Sequence, residues 1–270
     1  MTVAIAYANA AKEVVRRDFL VFITYRARVI TQLLSGFLAL ALFYYVSRLV
    51  RVSTFESPDA YFAFVMVGIL IIRTLASTFT AASAGIRQQL VAGTFERTVV
   101  SPFGPVGGIA AQLVFPFLLA AVLSTVMLLI AAAVFGIHLE WATLPLALPV
   151  GALAALCFAP FALMLAAAAL LFKQTAAGAG FVLTAISLVA GFYFPISVLP
   201  EWIQWMSEVQ PFTPAVELLR NVLVGTPLED PALLSVLKMV GFAAVLLPFS
   251  YWVLKKAILI GRRRATIIEY

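Results

Sequence analysis

The sequence predicts an all-α integral membrane protein with six transmembrane helices, and three observations support this prediction. Apolar residues make up 64% of the 270-residue chain and charged residues 11%, whereas soluble domains have about 45–50% and about 25%. The apolar residues fall into six stretches long enough to cross a bilayer core of about 30 Å. Basic residues concentrate in the segments that connect these stretches on one side of the membrane. This composition excludes a soluble globular protein and a disordered one.

Each predicted span has about 20 residues or more, which is the length that a membrane-crossing helix needs. The spans are residues 29–50, 60–84, 106–135, 144–172, 176–194 and 233–253. They divide the chain into three parts. An N-terminal cytoplasmic interface helix lies within residues 1–28, the six-span membrane domain comprises residues 29–260, and a basic cytoplasmic tail comprises residues 261–270.

The charge distribution predicts the orientation. With both termini inside, the inner segments carry thirteen lysines and arginines and four acids, and the outer segments carry four basic residues and eight acids. Because inner loops of membrane proteins are enriched in basic residues, we expect a multi-pass protein of the cytoplasmic (inner) membrane with both termini inside. The net charge of +6 then reports orientation in the lipid bilayer, and nucleic-acid binding is not expected.

Two inner segments have helical patterns. Residues 2–18 combine an apolar face with a basic face, which predicts an amphipathic helix at the membrane surface. It would serve either as an orientation anchor or as a contact with a partner subunit. After span 2, Gly93 is expected to end a helical turn and Thr94 to cap a second short helix that begins with Phe95 and Glu96. This pattern predicts a compact cytoplasmic knob.

The connection between spans 5 and 6 predicts two short helices. The first comprises residues 201–209, and the second starts with a cap at Thr213 followed by Pro214 and ends at Gly225. Both are too short to cross the bilayer and too apolar for open solvent. A re-entrant or interfacial element fits them, and Trp202 and Trp205 would lie at headgroup depth. The element would either anchor the chain or form a lid.

Several kinds of chemistry lack the residues they need. No lysine follows a glycine, so the sequence has no phosphate-binding loop of the Gly-Lys-Ser/Thr type. His138 is the single histidine, which leaves no material for a histidine metal site or a catalytic triad. No pair of carboxylates lies within a predicted span, which argues against a proton relay. The chain is therefore not expected to be an enzyme or to bind a cofactor or a metal.

Arg73 is the one clear charge inside a predicted span. A bare charge in hydrocarbon costs at least about 2.5–3.5 kcal/mol, and no acid at similar depth can pair with it. Its partners would be backbone carbonyls, water, a lipid phosphate or a transported anion. A structural role and a role along a pathway both remain open. Ser77 and small residues nearby make span 2 suitable for close helix contacts or for lining a pathway.

The order of these features resembles the permease subunit of ABC (ATP-binding cassette) type-2 exporters. The resemblance covers essentially the whole chain and rests on three sets of residues. They are residues 93–96 with Ser101-Pro102, residues 194–200, and residues 211–214 with residues 217–220.

The resemblance implies that two permease copies pair with two separate ATPase subunits, which bind ATP and magnesium. It implies an amphipathic substrate such as a drug, a lipid or a lipid-linked glycan. Coupling to the ATPase would involve Arg87, Gly93, Thr94, Phe95, Glu96 and Arg97. The pathway would involve Thr31, Gln32, Ser35, Phe43, Tyr44, Tyr45, Arg73, Ser77, Thr184 and Ser187. The outer gate would involve Phe194, Pro195, Trp202, Trp205, Glu217 and Arg220.

The same resemblance predicts a homodimer, in which Ser35, Gly36, Gly178 and Gly180 allow close approach near the two-fold axis. The alternative function, from another class of membrane protein, is that of a stand-alone secondary transporter or channel. Such proteins typically carry inverted repeats and intramembrane acids, and neither is evident here. A membrane scaffold without transport would leave Arg73 and the knob unexplained.

Overall fold

A computed structural model describes residues 13, 16, 19–20, 26–49, 55, 57–95, 98, 104–172 and 176–263. Within these residues all regular structure is helical, which confirms the all-α prediction. The longer helices are α1 (Arg26–Leu49), α2 (Pro58–Val91), α3 (Gly104–Phe135), α4 (Ala147–Phe172), α5 (Ala176–Val189), α6 (Glu201–Glu208), α7 (Phe212–Val224) and α8 (Ala232–Arg263).

Five of these helices, α1, α2, α3, α4 and α8, are long and apolar enough to cross a membrane. The chain is therefore a multi-pass membrane protein. The predicted fifth span, residues 176–194, is instead the 14-residue α5, which ends at Val189. At about 1.5 Å per residue α5 is about 21 Å long, short of the bilayer core. It stops where the left-handed Gly191 (φ +70°) turns the backbone away from the helical path.

Helix α2 is the centre of the fold. It packs against α1, α3, α4, α5 and α7, and most of its membrane-crossing stretch is buried. Ser57 caps its start by accepting a hydrogen bond of 3.1 Å from the backbone N–H of Ala60. The helix continues to Val91 instead of ending near the predicted residue 84, because Ile86 and Leu90 keep an apolar face buried. The first part of the predicted knob is thus the last two turns of α2.

The predicted pair of short helices between α5 and α8 is confirmed as α6 and α7. We call residues 190–225 the outer segment, after the side of the membrane on which the charge distribution of the sequence predicts it. Gly225, with φ +69°, ends α7 as expected. The prediction that Thr213 caps α7 was wrong. The helix starts at Phe212, and the Thr213 hydroxyl accepts a hydrogen bond of 3.1 Å from Nε2 of Gln210.

The loop between α3 and α4 holds the far end of α7. The backbone N–H of Glu140 donates to the Leu223 carbonyl at 3.0 Å, and the Thr143 hydroxyl donates to the Val222 carbonyl at 2.7 Å. These bonds satisfy carbonyls in the last turn of α7, which have no partner within the helix. The outer segment is therefore fixed to the helical body at its C-terminal end.

The N-terminal segment and the C-terminal tail lie mostly outside the described residues. Glu13 and Arg16 are helical and form an exposed ion pair of 3.4 Å. The amphipathic interface helix stays a prediction, as does the basic tail beyond Arg263.

We predict that Gly68→Ala destabilises the protein. A Cβ at Gly68 would lie 2.0 Å from the Phe192 carbonyl oxygen and 2.9 Å from Nη2 of Arg220, so the backbones must separate. Overpacking of this kind costs about 1–3 kcal/mol or more. Thermal unfolding of the purified protein, followed by size-exclusion chromatography, should show a lower Tm.

The matched control is Gly85→Ala on the same helix, where a Cβ meets nothing within 4 Å. An alanine in an open helix position is neutral or stabilising by about 0.5–1 kcal/mol. Equal Tm values for Gly68→Ala and the wild type would contradict the close approach of Phe192 to α2.

Candidate functional site

The C-terminal end of α2, which the charge distribution predicts to lie on the inner side, forms a well-defined turn that we call the inner turn. The backbone N–H of Gly93 donates to the Leu90 carbonyl at 3.2 Å, and that of Thr94 donates to the Gln89 carbonyl at 2.9 Å. Gly93 has φ +64°, so the turn is a Schellman motif with glycine at its left-handed position. The prediction that Gly93 ends the helix is confirmed. Gly93 is exposed and Thr94 is half-buried.

Phe95 anchors this turn, because its side chain is 1% exposed and belongs to the hydrophobic core. It is therefore covered within the chain, unlike the exposed Gly93. Glu96 and Arg97, the other two predicted coupling residues beyond the turn, lie outside the described residues. The coupling role of the whole group stays a prediction.

Three polar side chains form a hydrogen-bonded ring beneath the turn, which we call the amide ring. Gln89 of α2 donates through Nε2 to Oε1 of Gln112 on α3. Gln112 donates to the Thr98 hydroxyl at 3.1 Å, and Thr98 donates to Oε1 of Gln89 at 2.7 Å. The ring ties α2, α3 and the segment between them together. Sequence reasoning missed it, although one amide inside an otherwise apolar span is a recognisable signal of helix–helix hydrogen bonding.

A groove of about 180 Å³ runs between α2 and α5 close to the turn, and we call it the inner groove. Arg87, which was predicted to contact a partner, lines it and is exposed. The remaining lining is apolar, small or hydroxyl-bearing. It consists of Ala76, Phe79, Thr80, Ser83, Ala84, Ala179, Gly180 and Leu183.

Arg73 connects α2 to α1. Its Nη2 donates to the Gln32 carbonyl at 3.1 Å and to the Ser35 hydroxyl at 2.9 Å. A Cβ at Gly36 would lie 3.4 Å from the guanidinium carbon and 2.9 Å from Cε of Met127. These contacts support the structural role of Arg73 among the open alternatives. They also show that Gly36 packs inside its own chain.

The predicted pathway residues Thr184 and Ser187 donate hydrogen bonds to backbone carbonyls of their own helix, α5. Thr184 donates to the Gly180 carbonyl at 2.9 Å, and Ser187 donates to the Thr184 carbonyl at 2.7 Å. Thr184 is exposed and Ser187 is buried. On α1, Thr31 is exposed, and on α2, Ser77 is half-buried. These residues are distributed over three helices, α1, α2 and α5.

The predicted aromatic residues of α1 divide into packed and exposed rings. Tyr44 stacks on Phe135 at 4.6 Å and meets Phe62 edge-on at 5.3 Å. Phe43 stacks on Tyr193 at 5.8 Å, whereas Tyr45 is 67% exposed. Phe43 and Tyr44 therefore pack against other parts of the chain, whereas Tyr45 meets Tyr44 edge-on at 5.6 Å and leaves most of its ring exposed.

Arg220 clamps the outer segment to α2. Its side chain is 2% exposed. Nε donates to the Phe64 carbonyl at 3.0 Å and Nη2 donates to the Phe192 carbonyl at 2.8 Å. The guanidinium carbon lies 3.4 Å from the centroid of the Phe64 ring, within cation–π distance. The sequence predicted Arg220 as an outer-gate residue, and in the structure its direct hydrogen-bond partners are two backbone carbonyls.

The remaining predicted outer residues lie at the surface of the same segment. Phe194 and Pro195 are half-buried, next to the 3₁₀ turn Ile196–Val198. Trp202 and Trp205 are 72% and 59% exposed, as expected for rings that contact lipid headgroups. Whether they gate a pathway stays a prediction.

Glu217 lies one turn before Arg220 on α7, outside the five candidate membrane spans. Burial, together with Glu229 and Asp230, raises the pKa of Glu217 to about 7, while Arg220 and Lys238 oppose the shift. For Arg220, burial is the larger influence and lowers the pKa to about 9, so the guanidinium remains protonated at neutral pH. The outer segment thus contains a carboxyl group that titrates near neutral pH beside a fixed cation.

Comparison with known proteins gives two results. A family model described as "ABC-2 type transporter" matches residues 9–224. Nodulation protein J of Rhizobium meliloti (strain 1021) is 33% identical over 104 residues, and nodulation protein J of Rhizobium leguminosarum bv. trifolii is 32% identical over 106 residues. These matches cover 37% of this chain and 37–38% of the two relatives, so they span well under half of the relatives' length.

We predict that Glu217 makes stability fall as pH rises. Its folded pKa of about 7 lies above the ordinary value of 4.5. The contribution of the Glu217 carboxyl group to the free energy of unfolding is therefore fully present below about pH 4.5 and is lost as pH rises through about 7. Relative to Glu217→Gln, the wild type should lose Tm between about pH 5 and about pH 8.

Glu201→Gln is the matched control, because Glu201 is an exposed glutamate on the neighbouring helix α6. Its Tm should follow the wild type across the same pH range. Parallel Tm curves for Glu217→Gln and the wild type would show that the Glu217 carboxyl is not held in a buried environment.

Proposed function

This chain belongs to the ABC-2 type transporter family, and from that membership we propose that it is the permease of an ATP-driven exporter. As a family member it is a membrane subunit of an ABC transporter. The match over residues 9–224 is the observation that carries the proposal. It includes α1 to α7, and so covers the inner turn, the inner groove and the outer segment.

We propose that separate ATPase subunits supply the energy. The sequence has no Gly-Lys-Ser/Thr phosphate loop, so ATP and magnesium would bind on those partners. The inner turn is suited to contact one of them. It is a rigid Schellman motif at the end of the longest helix, and its exposed residues lie beside a buried anchor, Phe95.

Two copies of the chain would enclose the pathway. A single copy leaves apolar side chains of α1 and α5 exposed in a helical stripe, including Leu34, Leu38 and Phe181. Gly178 faces open space, which permits close approach of a second copy about a two-fold axis, whereas Gly180 lines the inner groove. Gly36 does not take part in the proposed contact between copies, because Arg73 and Met127 of its own chain cover it. A heterodimer with a related permease is the alternative assembly.

We propose an inner-membrane location with both termini inside and six crossings, of which α5 is the shallow one. The substrate would be amphipathic, a drug, a lipid or a lipid-linked glycan, because the helices around α2 combine hydroxyls with apolar and aromatic side chains. The outer segment would cover the exit, held to α2 by Arg220.

The first test is subunit composition. The tagged chain, purified in mild detergent from membranes of its own host, should carry an ATP-binding subunit. Mass measurement of the intact complex should give two permeases for two ATPases. A chain that purifies alone and moves substrate on an ion gradient without ATP would contradict the proposal.

The second test concerns transmission through the amide ring. Gln112→Leu removes the two hydrogen bonds in which the Gln112 side chain takes part, so motion of the turn should pass less well to α3. We expect substrate-stimulated ATPase activity to fall by about fivefold, which corresponds to about 1 kcal/mol, the typical net worth of a hydrogen bond. Assembly with the ATPase should survive.

Gln204→Leu is the control for this test, because Gln204 also donates one hydrogen bond, to the Leu199 carbonyl at 2.7 Å, but lies on the outer helix α6. It should leave stimulation unchanged. Full stimulation in Gln112→Leu, with normal assembly, would remove the amide ring from the coupling route.

A further inference from the structure

The inner groove has the shape of a site for an elongated ligand. Its α2 wall follows steps of three and four residues from Ala76 to Arg87, so the wall is one continuous helix face. The eleven steps from Ala76 to Arg87, at about 1.5 Å each, make this wall about 16 Å long. The facing wall is α5, where Ala179 and Gly180 are small enough to leave the space open.

The polar groups of the groove favour an anion. Arg87 brings five N–H donors and a fixed positive charge. Among the residues that the structure describes, neither its guanidinium nor the Thr80 hydroxyl has a hydrogen-bond partner. The Ser83 hydroxyl already donates to the Phe79 and Thr80 carbonyls. None of the lining residues is acidic.

The apolar groups of the groove favour a chain attached to that anion. Phe79 and Leu183 face the same space as Arg87, and Arg87 lies at one end of the α2 wall. A ligand would therefore place its charge at the Arg87 end and its chain along α2 toward Ala76. The volume of about 180 Å³ is below the 300–1,000 Å³ of a typical ligand pocket, so only the head and the first part of the chain are enclosed.

We propose that the inner groove binds the phosphate group of an amphiphile, with the guanidinium of Arg87 as its hydrogen-bond donor. The planar guanidinium fork matches phosphate oxygens in a bidentate geometry. This proposal rests on the proposed function in one respect. In an exporter permease, the phosphate-bearing amphiphile is either exported or held as a bound membrane lipid. The phosphate chemistry is common to both sources.

The test measures protection of the groove from a thiol reagent. Ala84 lines the groove and is exposed, so Ala84→Cys in a Cys157→Ala background places one reactive thiol there. The probe is dodecyl phosphate, added to the purified complex in micelles of decyl maltoside, a detergent without a phosphate group. It should slow maleimide labelling, whereas dodecyl maltoside, a neutral molecule with the same chain, should not.

Two substitutions decide the role of the charge. Arg87→Gln should weaken protection by dodecyl phosphate about tenfold, the scale of one lost charge-assisted contact. Arg263→Gln, at an exposed arginine at the end of α8, should leave protection unchanged. Equal protection by the neutral molecule, or protection that survives Arg87→Gln, would overturn the proposal.

A steric pair provides an independent check. Gly85 on α2 and Gly180 on α5 both face open space, but only Gly180 lines the groove. Gly180→Trp should fill the groove and abolish protection by dodecyl phosphate, and Gly85→Trp should not. Retained protection in Gly180→Trp would place the phosphate elsewhere.

The source of the phosphate is read from the same assay. Phosphatidic acid added to the same phosphate-free micelles should also protect the thiol. Protection that disappears when ATP is trapped identifies an exported molecule, and protection that persists identifies a bound lipid; both outcomes support the phosphate site.

A second readout separates this proposal from the proposed function. Bound ATPase and its activity are measured on the same preparation. Lost protection with an active ATPase overturns this site alone, whereas a missing ATPase overturns the proposed function and leaves the protection result valid.

Discussion

The buried guanidinium of Arg220 is the interaction on which the outer half of the structure depends. A charge that is 2% exposed must be compensated, because an unpaired buried ion costs several kcal/mol. Here the compensation comes from the carbonyls of Phe64 and Phe192 and from the Phe64 ring. These groups belong to α2 and to the turn after α5, so satisfying one charge fixes three elements at once. Gly68 lacks a side chain where the Phe192 carbonyl approaches.

This clamp gives α2 a mechanical role in the proposed exporter. The helix has 34 residues and is therefore about 51 Å long. Arg220 holds the outer segment at one end, and the amide ring with the Schellman turn holds the inner connection at the other. Between them Arg73 ties α2 to α1. We infer that α2 moves as one rod, so that displacement of the inner turn by an ATPase subunit reaches the outer segment without a separate hinge.

Much of this fold could be predicted because membrane spans are encoded by simple length and composition. Five spans, the turn at Gly93, the two short outer helices and the end of α7 at Gly225 all follow from local patterns. Long-range contacts could not be predicted in the same way. Gln112 meets Gln89 only because α2 and α3 pack side by side, and the carbonyl partners of Arg220 lie 28 and 156 residues away in the sequence. The early end of α5 depends on Gly191 and on the capture of the Phe192 carbonyl by Arg220, which only the assembled helices reveal.

The most direct test of the clamp is a distance between the two elements that Arg220 joins, α2 and α7. Spin labels are attached through Ala60→Cys at the start of α2 and Pro227→Cys just after α7, both exposed positions, in a Cys157→Ala background. Pulsed electron paramagnetic resonance then compares nucleotide-free and ATP-trapped complexes from a preparation that hydrolyses ATP. The account predicts the same distance distribution in both states, because α7 travels with α2. A nucleotide-dependent shift in that distribution would show that the outer segment moves independently and would contradict the central claim.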